Sequence, residues 1–348
     1  MQSTETLRTA PAAVTPVIEM PLLRVAYKRA ITADTFLFDL VSADGSPLPA
    51  FTAGAHLPLK LGDWLRHYSL CNAPEDRTRY QIAIHRTETG RGGSRAFCDL
   101  LDVGDQLTSA PPVNHFPLTE TAHHALLIAG GIGITPMIAM AHALHARGDT
   151  FMLHYAVRDS SRIGFTELLN TGPFAGNVRL HLDDASPSGR LDIHALLHDE
   201  SRASHIYICG PAGMIDAVLS RASALGWPAA YLHSERFGVP ATVVPRAAEG
   251  AAAFAPSVTE KEFEVVVAST GKVIPVMRDQ TIVQALAIAG VQVPVSCEQG
   301  VCGACQTGVL DGVPDHQDYL LSDEERDSNK LIMPCCSRSC SARLTLDL

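Results

Sequence analysis

The sequence predicts a multidomain chain of mixed α/β and β class: an antiparallel β-barrel, then a parallel α/β domain, then a small cysteine-rich C-terminal domain. Three observations predict it. Short strands separated by turn signals fill the first third, strands and helices alternate through the middle, and six of the nine cysteines lie between Cys297 and Cys340. With 348 residues, 46% hydrophobic and 18% charged, the chain can bury two or three cores. The formal charge is −10 and no Lys/Arg block occurs, which argues against nucleic-acid or anionic-membrane partners.

Residues 1–20 lack the apolar stretch of a signal peptide and read as a mobile tail. The barrel is expected over 21–119. Its strands include Thr35–Val41, His67–Cys71 and Tyr80–His85, with turns at Asp44-Gly45 and 90–93 and one helix at Ser94–Leu101. The α/β domain is expected over 120–237, with strands at Ala125–Ala129, Phe151–Val157, Val178–Asp183, His205–Cys209 and Ala230–His233. Pro136 and Pro211 each stand where they can open a helix, and Gly148 and Gly226 where they can close one. The uncharged run Ala125–Ala141 is near the lower limit of a membrane span. Its centre, Gly130 to Pro136, instead punctuates it as strand, loop and helix. The Ala/Pro/Val-rich stretch 238–260 reads as a linker. In 261–348, Lys261–Ala268 and Val273–Val276 can form a hairpin, and Thr281–Gly290 has helical spacing.

Cys297-x4-Cys302-x2-Cys305, followed after 29 residues by Cys335, has the plant-type [2Fe–2S] ferredoxin spacing. Four thiolates must converge on two irons. Three can come from one glycine-rich loop and one from a distant segment. Gly300 and Gly303 let that loop curl so that its amides point at sulfur. A zinc ribbon would use paired C-x2-C knuckles, which this unit lacks. Cys336, beside Cys335, leaves the fourth ligand open between the two. Thiols reserved for metal fit a reducing, cytoplasmic setting better than a disulfide framework.

Arg66-His67-Tyr68-Ser69 sets a cation, an aromatic ring and a hydroxyl on one strand, the groups that can hold a flavin's phosphate, ring face and ring nitrogen. The loop 90–94 (GRGGS) precedes a helix, where free amides favour an anion; the plain alternative is a turn with Ser94 as N-cap. Gly130–Pro136 and Cys209-Gly210-Pro211 each follow a strand and open a helix, two loops that point to one crevice for a dinucleotide.

Taken in order, RHYSL, GRGGS, GGIGITPM, ICGP, HSERFG, CEQGVCGAC, VPDHQD and MPCCSR resemble the phthalate dioxygenase reductase family, from about Leu22 to Leu348. That resemblance implies a flavin-binding barrel, a ferredoxin reductase-like nicotinamide domain and a C-terminal plant-type ferredoxin domain of β-grasp fold. It implies an NADH-dependent reductase that passes single electrons through FMN and a [2Fe–2S] cluster to a terminal Rieske-type oxygenase. FAD is the alternative flavin. The alternative functions are a general reductase for another monooxygenase or a quinone, or a non-catalytic redox sensor.

By the same resemblance, Arg66, His67, Tyr68 and Ser69 meet the flavin, and Gly92, Gly93 and Ser94 its phosphate. Gly131, Thr135, Pro136, Cys209, Gly210, Pro211 and Phe237 serve the nicotinamide. Ser69, Cys209 and Phe237 stand nearest the hydride transfer, although Cys209 can equally be a small core hydrophobe, and Cys335 becomes the fourth cluster ligand. Glu235 either orients the site or is a solvated charge, the second being favoured slightly. His85 stands where relatives can carry Lys. Ser160, Ser161 and Arg162 follow the second α/β strand, where a 2′-phosphate could be held; they are read as an ordinary loop, with NADH as donor. The chain is expected to be a monomer. It is expected to dock transiently through its ferredoxin domain, where Asp323-Glu324-Glu325 is either a plain solvated face or the patch that meets a basic rim on the oxygenase.

Overall fold

The computed structural model describes residues 21–62, 64–88, 92–184, 189–237 and 262–348. The expected tail, the linker at 238–260, and Gly90 and Arg91 of the glycine loop lie outside the described residues.

The first unit is a six-stranded antiparallel sheet. It comprises β1 (Leu22–Ala30), β2 (Thr35–Ser42), β3 (His56–Leu61), β4 (Trp64–Ser69), β5 (Tyr80–His85) and β6 (Gln106–Ser109), with α1 (Gly93–Leu100) between β5 and β6. The order is β4-β3-β6-β1-β2-β5. A bridge from Leu70 to Ile82 joins the two edge strands and closes the barrel, and the Cys71 N–H donates to the Gln81 carbonyl at 2.9 Å. Leu23, Val25, Leu57, Leu59, Tyr80, Ile82 and Ile84 fill the interior. The opposite faces of β2 and β5 are mixed, with Asp39 and Gln81 hydrogen-bonded to each other beside Leu37 and Ala83. Leu37 and Ala83 join the core of the next unit, so the two units pack together there. The strand expected at His67–Cys71 runs instead from Trp64 to Ser69.

The second unit is all parallel, in the order β11-β10-β7-β8-β9. Its strands are β7 (His124–Gly130), β8 (Thr150–Val157), β9 (Val178–Leu182), β10 (His205–Cys209) and β11 (Leu232–Glu235). Its helices are α2 (Ile134–Arg147), α3 (Thr166–Thr171), α4 (Ile193–Asp199) and α5 (Ala212–Ala224). The apolar run from Ala125 becomes β7, a 3-10 turn at Gly131–Gly133 and the start of α2. No described helix is long and apolar enough to cross a membrane. Pro136 is the third residue of α2 rather than the first, because the 3-10 turn already supplies the helix entry. Gly148 closes α2 in the left-handed conformation (φ 73), with its N–H and that of Asp149 donating to the His145 and Leu144 carbonyls. The last strand begins at Leu232, since Ala229–Tyr231 form a 3-10 turn.

The third unit contains β12 (Phe263–Val267), β13 (Lys272–Val276), α6 (Ile282–Ile288), β14 (Thr307–Asp311), β15 (Pro314–Asp315), α7 (Asp323–Asp327), β16 (Leu331–Ile332), β17 (Arg338–Ser339) and β18 (Arg343–Leu346). Its main sheet runs β13-β12-β18-β14-β16, with β12 and β18 parallel. Thr281 and Gln284 form a capping box at the start of α6, which lays Ile282, Ala285 and Leu286 on the sheet. The segment between α6 and β14 has no strand or helix, and it carries three of the cysteines.

Candidate functional site

Two clefts meet at the junction of the three units. The first, about 690 Å³, opens at the carboxyl ends of β7, β8 and β10 and is lined by Gly130–Gly133, Gly210 and Pro211. This is where the strand order of a doubly wound sheet reverses and where such sheets bind ligands. The glycines have distinct tasks. A Cβ on Gly133 would lie 2.3 Å from the Cys209 carbonyl oxygen, and one on Gly130 would lie 2.5 Å from Pro211 Cδ. These two let the loops after β7 and β10 touch. Gly131 has φ 55, and a Cβ there would meet nothing within 4 Å, so its backbone lies open.

The second cleft, about 620 Å³, is lined by Arg66, His67, Tyr68 and Ser69 of the barrel, by Gly92–Ser94, and by Cys297 and Cys302 of the cysteine loop. Gly92 caps α1 in the left-handed conformation (φ 84), without a side-chain cap. Ser94 is therefore not the N-cap; its hydroxyl accepts from the Thr87 N–H at 3.2 Å. A Cβ on Gly93 would lie 2.2 Å from Arg66 Nε, so the guanidinium rests against the first turn of α1. A cation and free helix amides side by side suit a phosphate. Deeper in, the Tyr68 hydroxyl, His67 Nδ1 and His56 Nε2 are buried with no hydrogen-bond partner. Such orphaned groups are costly unless a ligand with polar edges satisfies them. Burial, reinforced by His115, pushes the His67 imidazole down to about 4, so it is neutral near pH 7.

His85, Ile132 and Phe237 line both clefts, which makes them the meeting point of the two occupants. Thr135 faces the second cleft rather than the first, with its hydroxyl donating to the Ile132 carbonyl at 3.0 Å. Pro136 is buried in α2 and lines neither cleft, so its part is in packing. Cys209 is also fully buried and lines neither. Full burial fits the second of its two readings, a small core hydrophobe.

Its neighbour across the sheet is Glu235, paired in register with Cys209 on β11. Glu235 is not the solvated charge expected. It is partly buried, borders the second cleft, and accepts a long hydrogen bond from Ser69 Oγ at 3.5 Å. Burial pushes its carboxyl up to about 8, with the Ser69 bond partly opposing. The sequence left an orienting role for Glu235 open but favoured the solvated reading, because an acid at a strand end is usually wet.

The cysteine loop is held in an unusual backbone. Glu298, Gly300 and Gly303 all have positive φ (54, 70 and 73), which curls the chain around one point. The thiols contact in two pairs, Cys302 with Cys297 and Cys305 with Cys335, and the Gln299 N–H donates to Cys297 Sγ at 3.3 Å. Pairing two by two is the disposition that two bridged irons require. Cys336 also stands close by: its sulfur contacts Cys335, and a Cβ on Gly300 of the loop would come within 2.5 Å of it. Cys340 is exposed. Ser296 Oγ donates to the Leu65 carbonyl at 3.0 Å, which ties the loop to the barrel strand that lines the second cleft.

The sequence model of the 2Fe-2S iron-sulfur cluster binding domain matches residues 265–343, and that of the oxidoreductase NAD-binding domain matches residues 127–220. The chain is 43% identical to a vanillate O-demethylase oxidoreductase of Pseudomonas sp. (strain HR199 / DSM 7063), covering 93% of this chain and 98% of that one. It is 38% identical to a phthalate dioxygenase reductase of Burkholderia cepacia, covering 94% and 97%. A solved phthalate dioxygenase reductase, described as a modular structure for electron transfer from pyridine nucleotides to [2Fe-2S], superposes with a TM-score of 0.68 at 36% identity, covering 95% of this chain and 98% of that one. With its NAD-binding sheet, its cluster-binding sheet and the barrel that joins them, the chain belongs to the family of phthalate dioxygenase reductases and vanillate O-demethylase oxidoreductases.

Proposed function

We propose that this chain accepts hydride from NADH onto FMN and delivers single electrons through a [2Fe–2S] cluster to a terminal Rieske-type oxygenase. The units at 21–119, 120–237 and 261–348 divide these tasks. The flavin supplies a two-electron acceptor that can release electrons singly, and the cluster supplies a one-electron carrier. The observation that carries the reading is a single cavity lined by both the Arg66–Ser69 strand and the cluster loop, so flavin and cluster are neighbours without any separate docking step.

Within it, Arg66 and the amides of Gly92–Ser94 bind the phosphate, and Tyr68 and His67 flank the ring. Ser69 and Glu235 present a hydroxyl and a carboxyl to the reacting edge. Gly131, Gly210 and Pro211 bound the dinucleotide cleft, and Phe237 guards the junction. Thr135 serves the flavin side. Cys209 backs Glu235 from within the sheet rather than meeting the nicotinamide. Cys297, Cys302, Cys305 and Cys335 hold the cluster. The choice of Cys335 over Cys336 is supported by its contact with Cys305 and its burial. The FMN form of flavin is favoured because the cation and helix amides make one phosphate site at the cavity's edge.

We read the chain as a cytoplasmic monomer whose ferredoxin unit meets the oxygenase transiently. The test is Cys302→Ser in the full chain. NADH-driven ferricyanide reduction, which needs only flavin, persists, while cytochrome c reduction is lost. Loss of both activities, or of neither, overturns the proposed sequence of carriers.

A further inference from the structure

The part of the dinucleotide cleft not shared with the flavin cavity carries Arg158, Arg162 and Arg190. In doubly wound sheets the residues just after the second strand meet the adenosine ribose, where an acid suits a 2′-hydroxyl and an arginine suits a 2′-phosphate. Here that strand is β8, and the chain continues Arg158-Asp159-Ser160-Ser161-Arg162. Arg162 is the cation in the right place for a phosphate, yet two carboxylates already hold it. Its Nε lies 3.3 Å from Asp159 Oδ2, and its NH1 lies 3.2 Å from Asp34 Oδ2.

Asp34 belongs to the barrel, 128 residues away in sequence. It sits in the β1–β2 turn, where Thr32 Oγ1 donates to Oδ1 at 2.9 Å and His85 Nδ1 stands 3.4 Å away. The turn aims the carboxylate across the domain boundary. Asp159 has no spare capacity, since its Oδ1 accepts from the Ser161 N–H at 3.0 Å and caps the turn. Arg190 stands 3.6 Å from Asp183. Arg158 bears the remaining charge, which the pyrophosphate common to both coenzymes can use, and so it does not discriminate between them.

We propose that Asp34 is a coenzyme-specificity residue: by pairing with Arg162 it withholds the cation that a ribose 2′-phosphate requires, and the cleft takes NADH in preference to NADPH. A 2′-phosphate brings about −1.5 to −2 charges. On entering, it meets Asp34 and Asp183, which line the cleft, and must draw Arg162 out of two ion pairs. A 2′-hydroxyl brings no charge and disturbs neither pair. The device works across the boundary between barrel and dinucleotide domain, so no reading of the β8 loop alone reveals it.

This inference rests on the reading of the cleft as the NADH site. The experiment compares NADH and NADPH as donors to ferricyanide in the flavin-loaded full chain, as the ratio of their kcat/KM values. Asp34→Asn keeps the acceptor oxygen for Thr32 and removes the charge. It is expected to raise the NADPH:NADH ratio about tenfold, ~1.4 kcal/mol. Asp34→Asn with Arg162→Gln is expected to return the ratio to that of the unaltered chain. An unchanged ratio in Asp34→Asn overturns the proposal, as does a rise that survives Arg162→Gln. Absorbance gives the flavin bound per chain as the folding control. Failure of the unaltered chain to oxidise either coenzyme would instead remove the reductase reading itself.

Discussion

Replacing Glu235 by Gln probes the least expected group in the site. Its carboxyl titrates near 4.5 in an unfolded chain and is pushed up to about 8 here, chiefly by burial. Between those values the folded state holds a proton that the unfolded state has released. Stability therefore falls as pH rises from 4.5 towards 8, and levels off above. At ~1.4 kcal/mol for each pH unit, the full difference is on the order of 5 kcal/mol. The carboxyl borders the cleft, however, and solvent screening reduces this to ~2–3 kcal/mol. Gln keeps the shape and cannot ionise. Glu235→Gln is accordingly expected to match the unaltered chain near pH 5 and to be more stable by ~2–3 kcal/mol at pH 9. The assay is urea unfolding followed by release of flavin fluorescence, run from pH 5 to 9 on both proteins. A difference that stays flat across that range would refute the burial argument for Glu235, and with it the claim that the site holds a neutral acid at pH 7.

Two further outcomes test the cluster domain. Gly300→Ala is expected to lose most of its iron while keeping its flavin, because φ is 70 and a Cβ would lie 2.8 Å from Asp318 Cα, a backbone atom that cannot step aside. Gly271→Ala, with a similar φ of 67 and open space around it, is the control and keeps its cluster; equal iron in both would mean that the close approach is unimportant. Electron delivery to the partner oxygenase is expected to fall at least about tenfold between low salt and 0.5 M salt, if the acidic first turn of α7 steers docking. Stopped-flow rates indifferent to ionic strength would discard that surface.

Much of the site lay in the sequence because its signals are local. The CxxxxCxxC unit puts three sulfurs on one loop by covalent spacing alone, and Gly300 and Gly303 mark the positive-φ positions that the curl demands. The RHYS strand and both strand–glycine–helix junctions were legible for the same reason: alternation and turn chemistry act over a few residues. Local signals left a residue's surroundings open where they depend on what packs over it. Cys209 ends a strand beside a cleft, yet the contact between the loops after β7 and β10 seals it from the ligand side. Thr135 lies next to the dinucleotide loop, yet the first turn of α2 turns it towards the flavin cavity.

By itself the sequence determined three units, their order, the four-thiol spacing and the strand that lines the second cleft, since each follows from short-range geometry and hydrophobic period. Only the tertiary structure decided which acid is buried and that a barrel carboxylate 128 residues away holds Arg162. Burial and ion pairing depend on distances through space, and chain order does not encode those until the barrel, the parallel sheet and the cluster domain have packed together.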